Sequence, residues 1–444
     1  MNWILRFTFS LLVTADVLAT PPNVIVILAD DMAIGDIAAF NKGITRTPTL
    51  DRLIAEGLWF DRAYSGSPVC APSRAALLTG RYPHRTGVVS LTLSTEPTLT
   101  RLKRDETTIA DIFVANGYRT GLVGKWHTGL GEGYGPVARG FQEVAVFHGS
   151  DNGGYNRYVL HTDDDMTEKP KPQGRYLTDE LNQRAIAFVR RHAGEPFFLH
   201  LAHYAPHRPL QAPQEAIDPY LKAGFERDVA TIYAMIEIMD RGLGELMATL
   251  KTLGLRERTL VIFASDNGPD MLVPKRFNLD LRGSKYTTYE GGIHVPFIMH
   301  WPGTIHPGKR SDLVHFTDVL PTLMEVCGLK YQPTLPIDGR SFATLLKDGA
   351  PLSTPPRFWQ WNRHEPNYTH NAAMRDGPWK LVKPFVTKDK IEGDSDAPLQ
   401  LYNLDNDPTE AVDLATQQPD RLKTMREALD AWTRDVETDR NRTP

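Results

Sequence analysis

The stretch Ser67 to Gly80, Ser-Pro-Val-Cys-Ala-Pro-Ser-Arg-Ala-Ala-Leu-Leu-Thr-Gly, carries the residues best placed to do chemistry in this chain. Pro72 suits the first turn of a helix, where its missing N–H is not needed, and Gly80 suits the stop. Cys70 is then expected just outside the helix N-terminus, where unpaired N–H groups and the helix dipole favour negative charge. Arg74 adds a full positive charge one turn in. A thiol there has a lowered pKa and could itself be a nucleophile. The plainer reading is a buried cysteine packing as a small hydrophobe.

Other reactive groups recur directly after apolar runs. Asn23-Val-Ile-Val-Ile-Leu-Ala reads as a buried parallel strand and ends in Asp30-Asp31. Arg119 to Val123 delivers Lys125 and His127, Pro196 to Ala202 runs on to His207, and Thr259 to Ser265 ends in Asp266-Asn267. The C-terminal ends of parallel strands are where α/β sheets bind ligands. Three carboxylates and an amide oxygen on one edge are hard ligands, suited to calcium or magnesium and poor for zinc. Taken singly, each has a plainer reading. Asp-Asp is a solvated turn, His207 a satisfied structural histidine and Lys285 a surface charge. Their shared placement is what argues for a site.

The elements that must position these groups alternate. Thr47 caps a helix beginning at Pro48. Thr107 to Asn116 forms a helix stopped by Gly117, and Thr178 to Arg191 forms another. The longest helical period runs from Val229 to Leu250, with its Met and Tyr residues read as core, and Val295 to Trp301 is a further strand. Such alternation predicts an α/β sheet covered on both faces. Residues 131–175 are rich in Gly, Pro and Asp without periodicity, as in functional or mobile loops. After Asp348 a Pro-rich linker at 351–356 leads to short strands at 357–361, 379–382 and 399–402 and a helix at 419–438. This divides the chain into 1–19, 20–350 and a small α+β subdomain, 351–444.

A net charge of −4 leaves no basic surplus for nucleic acid, so local basic residues must do any anion recognition. Met1 to Ala19 reads as a secretory signal peptide, placing the protein in the periplasm or outside the cell, and no later run approaches the ~20 apolar residues of a membrane span. With only Cys70 and Cys327 there is no disulfide framework, and Cys327, after the apolar run Leu320 to Val326, reads as core.

Cys70-Ala-Pro-Ser-Arg74, followed by Ala-Ala-Leu-Leu-Thr-Gly-Arg, resembles the type I, formylglycine-dependent sulfatases. The resemblance runs from Asn23 to roughly Leu404. Its later landmarks are Asp338-Gly-Arg, Met374-Arg-Asp-Gly-Pro-Trp-Lys-Leu and Leu401-Tyr-Asn-Leu-Asp-Asn-Asp-Pro-Thr-Glu. It implies an α/β, alkaline-phosphatase-like fold, a large mixed β-sheet flanked by helices with a smaller C-terminal antiparallel sheet. It also implies sulfate ester hydrolysis, with Cys70 oxidised to formylglycine by a formylglycine-generating enzyme. Position by position, Asp30, Asp31, Asp266 and Asn267 match metal ligands, and the formylglycine at 70 completes the shell. Arg74, Lys125, His127, His207 and Lys285 match residues around the formylglycine or the sulfate. One departure is His294, where an arginine commonly stands.

An exported enzyme without a membrane span favours a sulfated carbohydrate as substrate. Its candidate contacts are His148, Asp151 and Asn152 in the long loop, and Arg363 and His364 after the aromatic run Phe358 to Trp361. Two further readings stay open: phosphate or phosphonate ester hydrolysis, since the trap accepts either anion, and an inactive anion-binding relative. Against the latter, every site position is filled.

Overall fold

Asn23–Ala29 forms β1, and all seven residues are buried. Alternate residues serve two different cores. Val24, Val26 and Leu28 join a cluster with Ala75, Leu78 and Leu320, whereas Ile25, Ile27 and Ala29 join one with Leu181, Ile232 and Leu243. A strand covered by helices on both faces needs apolar residues at every position, which is why β1 shows no alternation.

Structural detail comes from a computed structural model that describes residues 21–91, 96–149, 153–164, 168–169, 171–273, 276–385 and 394–442. The signal peptide reading of 1–19, and Asp151 and Asn152, lie outside the described residues. With β1, the large sheet comprises β2 (Leu58–Phe60), β3 (Arg119–Lys125), β4 (Glu143–Phe147), β5 (Phe197–Ala202), β6 (Thr259–Ser265), β7 (Phe297–His300) and β8 (Gly308–Arg310). Their order among the described residues is β8-β2-β7-β6-β1-β5-β3-β4. β1 pairs in parallel with both β5 and β6, and β7 runs antiparallel to β6 and β2, so the sheet is mixed. Strand β4 lies inside the segment whose Gly and Pro content hid any period; Val144 to Phe147 are buried against β3.

Thr47 precedes its helix but makes no side-chain cap. Its hydroxyl accepts from the Ala38 N–H instead, at 2.8 Å. Cys327 is only partly buried and packs against the core cluster that contains Leu320 and Leu323.

Strands Arg357–Gln360, Ala372–Asp376, Trp379–Lys383 and Gln400–Asn403 form an antiparallel sheet in chain order. The second of these was not legible as a strand, because its centre, Ala-Ala-Met-Arg, has weak strand propensity and is held by its neighbours. The helix Pro419–Arg440 buries Met425, Leu429, Trp432 and Val436 against this sheet, with Trp432 stacked on Phe358 at 5.3 Å.

That helix also reaches back to the reactive stretch. Arg81, directly after Gly80, is bonded to Asp439 and lies 3.1 Å from the buried Glu106 carboxylate. Burial lifts the Glu106 carboxyl to about 7, against the pull of Arg81 and with a further push from Asp105 and Asp439. The folded chain therefore keeps a proton that the unfolded chain, at about 4.5, releases. This contribution to stability is complete below about pH 4.5 and is lost as pH rises through about 7. Urea unfolding across this range should show wild type losing on the order of 2–3 kcal/mol more than Glu106→Gln. Identical pH slopes in the two proteins would refute the assignment.

Candidate active site

Sheet register brings the reactive residues to one level. Ala29 lies opposite Ser265, Leu28 opposite Ala202, and Gly124 opposite Ala202, so Asp30, Lys125, His203 and Asp266 all leave the sheet together. Asp31 then turns with φ +67°, a conformation costly for a residue with a side chain. Arg276 holds it there by donating from Nη2 to the Asp31 carbonyl at 3.0 Å. Arg276 is itself bound to the buried carboxylate of Asp36. Neither residue stood out in the sequence, since they are 240 positions apart and only the fold joins them.

Three buried acids meet three buried cations. Arg74 donates from Nε and Nη2 to one oxygen of Asp266, at 2.9 and 2.7 Å, and from Nη1 to the Lys125 carbonyl at 3.1 Å. Its Nη2 is also 3.3 Å from Asp30. Lys125 Nζ lies 2.5 Å from Asp30 Oδ2. Lys285 Nζ lies 2.8 Å from Asp31 Oδ2. Burial works against the Lys285 charge, but Asp31 and Cys70 outweigh it and hold its pKa well above the ordinary value.

Cys70 is the first residue of the helix Cys70–Thr79, with Val69 as N-cap, so it lies inside the helix rather than just before it. Pro72 falls in the first turn as expected, and Gly80 closes the helix at φ +70°. Burial alone would raise the thiol's pKa. Lys125 and Lys285, with His127 and His207 beside the sulfur, together hold it well below the usual range. His207 donates from Nδ1 to the Arg208 carbonyl at 2.7 Å, leaving Nε2 toward the site, 3.7 Å from Asp31. His127 donates from Nε2 to the Leu91 carbonyl at 3.4 Å, and no described residue pairs with its Nδ1. Burial and Lys125 hold His127 below its ordinary pKa, so its ring is neutral.

Ligand atoms of Asp30, Asp31, Cys70 and His207 all lie within 4.8 Å of one another. Asn267 donates from Nδ2 to Asp31 at 2.7 Å, which leaves its carbonyl oxygen as an acceptor without a donor among the described residues. Two buried oxygens, Asp30 Oδ1 and Asn267 Oδ1, have no hydrogen-bond partner among the described residues. Orphaned buried acceptors of this kind are costly unless a cation completes them, so the oxygen set fits a hard divalent ion. Asp266 is engaged on both oxygens, by Arg74 on one and by the Asp31 N–H, at 3.3 Å, on the other, whereas Asp30 keeps Oδ1 free among the described residues.

The remaining sequence candidates separate. His148 lies edge-on to His127 with ring centroids 6.4 Å apart, and neither of its nitrogens has a partner among the described residues. Arg363 lies over the Tyr286 ring, whereas the exposed His364 is bound to Glu96 instead. His294 stacks on Tyr64 at 5.2 Å and faces Glu290 at 3.5 Å. Lys380 supplies the formal charge opposite Glu290, at 2.8 Å, so the missing arginine at 294 leaves no bare carboxylate.

Comparison with known proteins follows the same lines. The Sulfatase family model matches residues 22–329, and the model for N-sulphoglucosamine sulphohydrolase, C-terminal, matches residues 284–435. Arylsulfatase A of Bos taurus is 32% identical over 437 residues, covering 89% of this chain and 84% of its own length. N-acetylgalactosamine-6-sulfatase of Rattus norvegicus is 33% identical over 370 residues, 77% of this chain and 69% of its own. Among solved structures, Ps i-CgsB in complex with k-i-k-neocarrahexaose superposes with a TM-score of 0.81 at 32% identity, over 93% of each chain. Matched in sequence across most of its length and in fold to a large mixed sheet with a small antiparallel one, the chain belongs to the sulfatase family.

Proposed function

We propose that this sulfatase is exported and removes sulfate from a sulfated carbohydrate, with Cys70 converted to formylglycine by a formylglycine-generating enzyme. One calcium or magnesium ion would be held by Asp30, Asp31, Asp266 and Asn267. The observation that carries this reading is Cys70 at a helix N-terminus, with Lys125, Lys285, His127 and His207 all acting on its sulfur. The substrate class is supported by two relatives: one named for N-acetylgalactosamine-6-sulfate chemistry, and one solved with a neocarrahexaose. The leader-like residues 1–19 support export. No helix among the described residues is long and apolar enough to cross a membrane.

When bound, the ion supplies Lewis-acid stabilisation of negative oxygen. A formylglycine at position 70 would supply the nucleophilic oxygen and a second hydroxyl through which sulfate can be released. Lys125 and Lys285 hold the sulfate oxygens while charge redistributes, and Arg74 keeps Asp266 and Asp30 in place. As the bond from sulfur to the leaving oxygen breaks, His207 donates the Nε2 proton to that oxygen, its Nδ1–H being committed to Arg208. His127, neutral and with Nδ1 open, takes the proton whose loss expels sulfate.

Protein co-expressed with a formylglycine-generating enzyme should carry an aldehyde at position 70 in peptide mass spectra. It should turn over aryl sulfate and sulfated oligosaccharides far faster than aryl phosphate. Unmodified Cys70 in fully active protein, or phosphate as the better substrate, would sink the reading.

Elemental analysis should find one calcium or magnesium per chain, and a chelator should abolish turnover. Asp31→Asn should lose the ion. Zinc at full occupancy contradicts the ligand assignment.

His207→Ala should slow alkyl sulfates by about 10²–10⁴-fold, because their leaving group needs a proton, and activated aryl sulfates much less. Equal losses on both would place His207 in sulfate binding.

A further inference from the structure

At the rim of the site, one aromatic ring links two cations. Tyr286 follows Lys285 and adopts φ +80°, a region that a bulky residue rarely occupies without cause. It is pinned on both sides. Its N–H donates to the Pro68 carbonyl at 2.9 Å, and its carbonyl accepts from Asn371 Nδ2 at 2.7 Å. Lys285 Nζ lies 5.7 Å from the ring centroid and Arg363 Cζ lies 5.6 Å from it. Trp361 packs against the same ring at 5.5 Å. The buried ammonium of the sulfate trap and an exposed guanidinium thus share one side chain.

A second arginine stands beside the proton donor. Arg208 follows His207, and its Nε donates to Asp270 Oδ2 at 2.5 Å. Asp270 is buried, and its other oxygen accepts from the Leu272 N–H at 2.9 Å. The Lys285 N–H donates to the adjacent Pro269 carbonyl at 2.9 Å, so the turn that fixes Arg208 also fixes Lys285. The Arg208 side chain is 42% exposed, and no described residue accepts from its Nη groups. Arg363 has no acidic partner among the described residues, which leaves its guanidinium open to a ligand.

We propose that Arg208, Tyr286 and Arg363 form a second anion subsite, taking the carboxylate or sulfate on the sugar next to the one being desulfated. The inference rests on the sulfatase reading above. Commitment of Nε to Asp270 leaves the paired Nη groups of Arg208 as a fork for an oxyanion, a geometry that lysine does not offer. Arg363 supplies the opposing charge, and the Tyr286 ring supplies the apolar face against which a sugar can lie. A neighbouring anion bound here would hold the scissile ester over the Cys70 helix.

The test compares three disaccharides of one linkage: monosulfated with a neutral neighbour, disulfated, and monosulfated with a uronate neighbour. The readout is kcat/KM for each dianionic substrate relative to the monoanionic one, in wild type, Arg208→Gln and Arg363→Gln. In wild type the ratio should exceed one, and in either variant it should fall about tenfold, through KM rather than kcat. Whether the disulfated or the uronate substrate suffers identifies the source of the anion. Titration calorimetry of the products that keep only the neighbour's anion should show salt-sensitive binding in wild type and weaker binding in both variants. Unchanged ratios together with unchanged product binding would overturn the subsite. Failure of wild type to turn over any of the three refutes the sulfatase reading instead, and the calorimetric comparison then decides the subsite on its own.

Discussion

Burying three carboxylates at the ends of two adjacent central strands is the constraint on which the site depends. Asp30, Asp31 and Asp266 are fully shielded from water, and an unpaired ion in that position is costly by several kcal/mol. Arg74, Lys125 and Lys285 answer them nearly one for one, at 2.5–2.9 Å. The pairing is not complete, because Asp30 and Asn267 each keep one oxygen without a donor among the described residues. That remainder is what suits the cluster to a divalent ion and an anionic substrate. In the proposed mechanism Lys125 and Lys285, which pair with Asp30 and Asp31 in the free protein, are the groups that would face the sulfate oxygens.

The small antiparallel sheet serves the large one. Lys285 belongs to a loop rather than to a strand, and its position is set by what holds that loop. Asn371 bonds both the Tyr286 carbonyl and the Thr288 N–H, and Glu410 accepts from the Glu290 N–H at 2.7 Å. Lys380 lies 2.8 Å from Glu290 and 2.9 Å from Glu410, fully buried between them. Gly291 and Gly292 permit the close approach, since a Cβ on Gly292 would sit 1.9 Å from the Thr287 carbonyl. The loop that carries Lys285 is thus anchored through contacts between residues 83 to 120 positions apart.

Further support lies behind the proposed metal ligands. The left-handed turn at Asp31 is stabilised by Arg276 and, through it, by Asp36. Ser265 Oγ accepts from the Met32 N–H at 2.9 Å, joining the ends of β1 and β6 from below. Groups that shape a ligand's geometry without touching the ligand commonly govern metal affinity as strongly as the ligands do.

What the sequence determined by itself was local. The seven-residue apolar run of β1, the acids that follow it, the Pro and Gly that bracket the Cys70 helix and the long period from Val229 to Leu250 are all readable within a window of neighbours, because burial on both faces or on one imposes its own pattern. Tertiary structure decided what depends on register. Only the pairing of β1 with β5 and β6, and of β5 with β3, places Asp30, Lys125 and Asp266 at one level, and only the packed core joins Asp36 to Arg276 or Arg208 to Asp270 across 62 residues. β4 stayed hidden for the same reason. Its pairing with β3, rather than any period in a Gly-rich segment, makes it a strand. Cys70 was displaced by one position, into the helix instead of before it, because the extended Val69 provides the cap and the chain needs no side-chain capping bond there. Chemistry that sits at strand ends announces itself in sequence, whereas the charges that must neutralise it come from wherever the fold returns the chain.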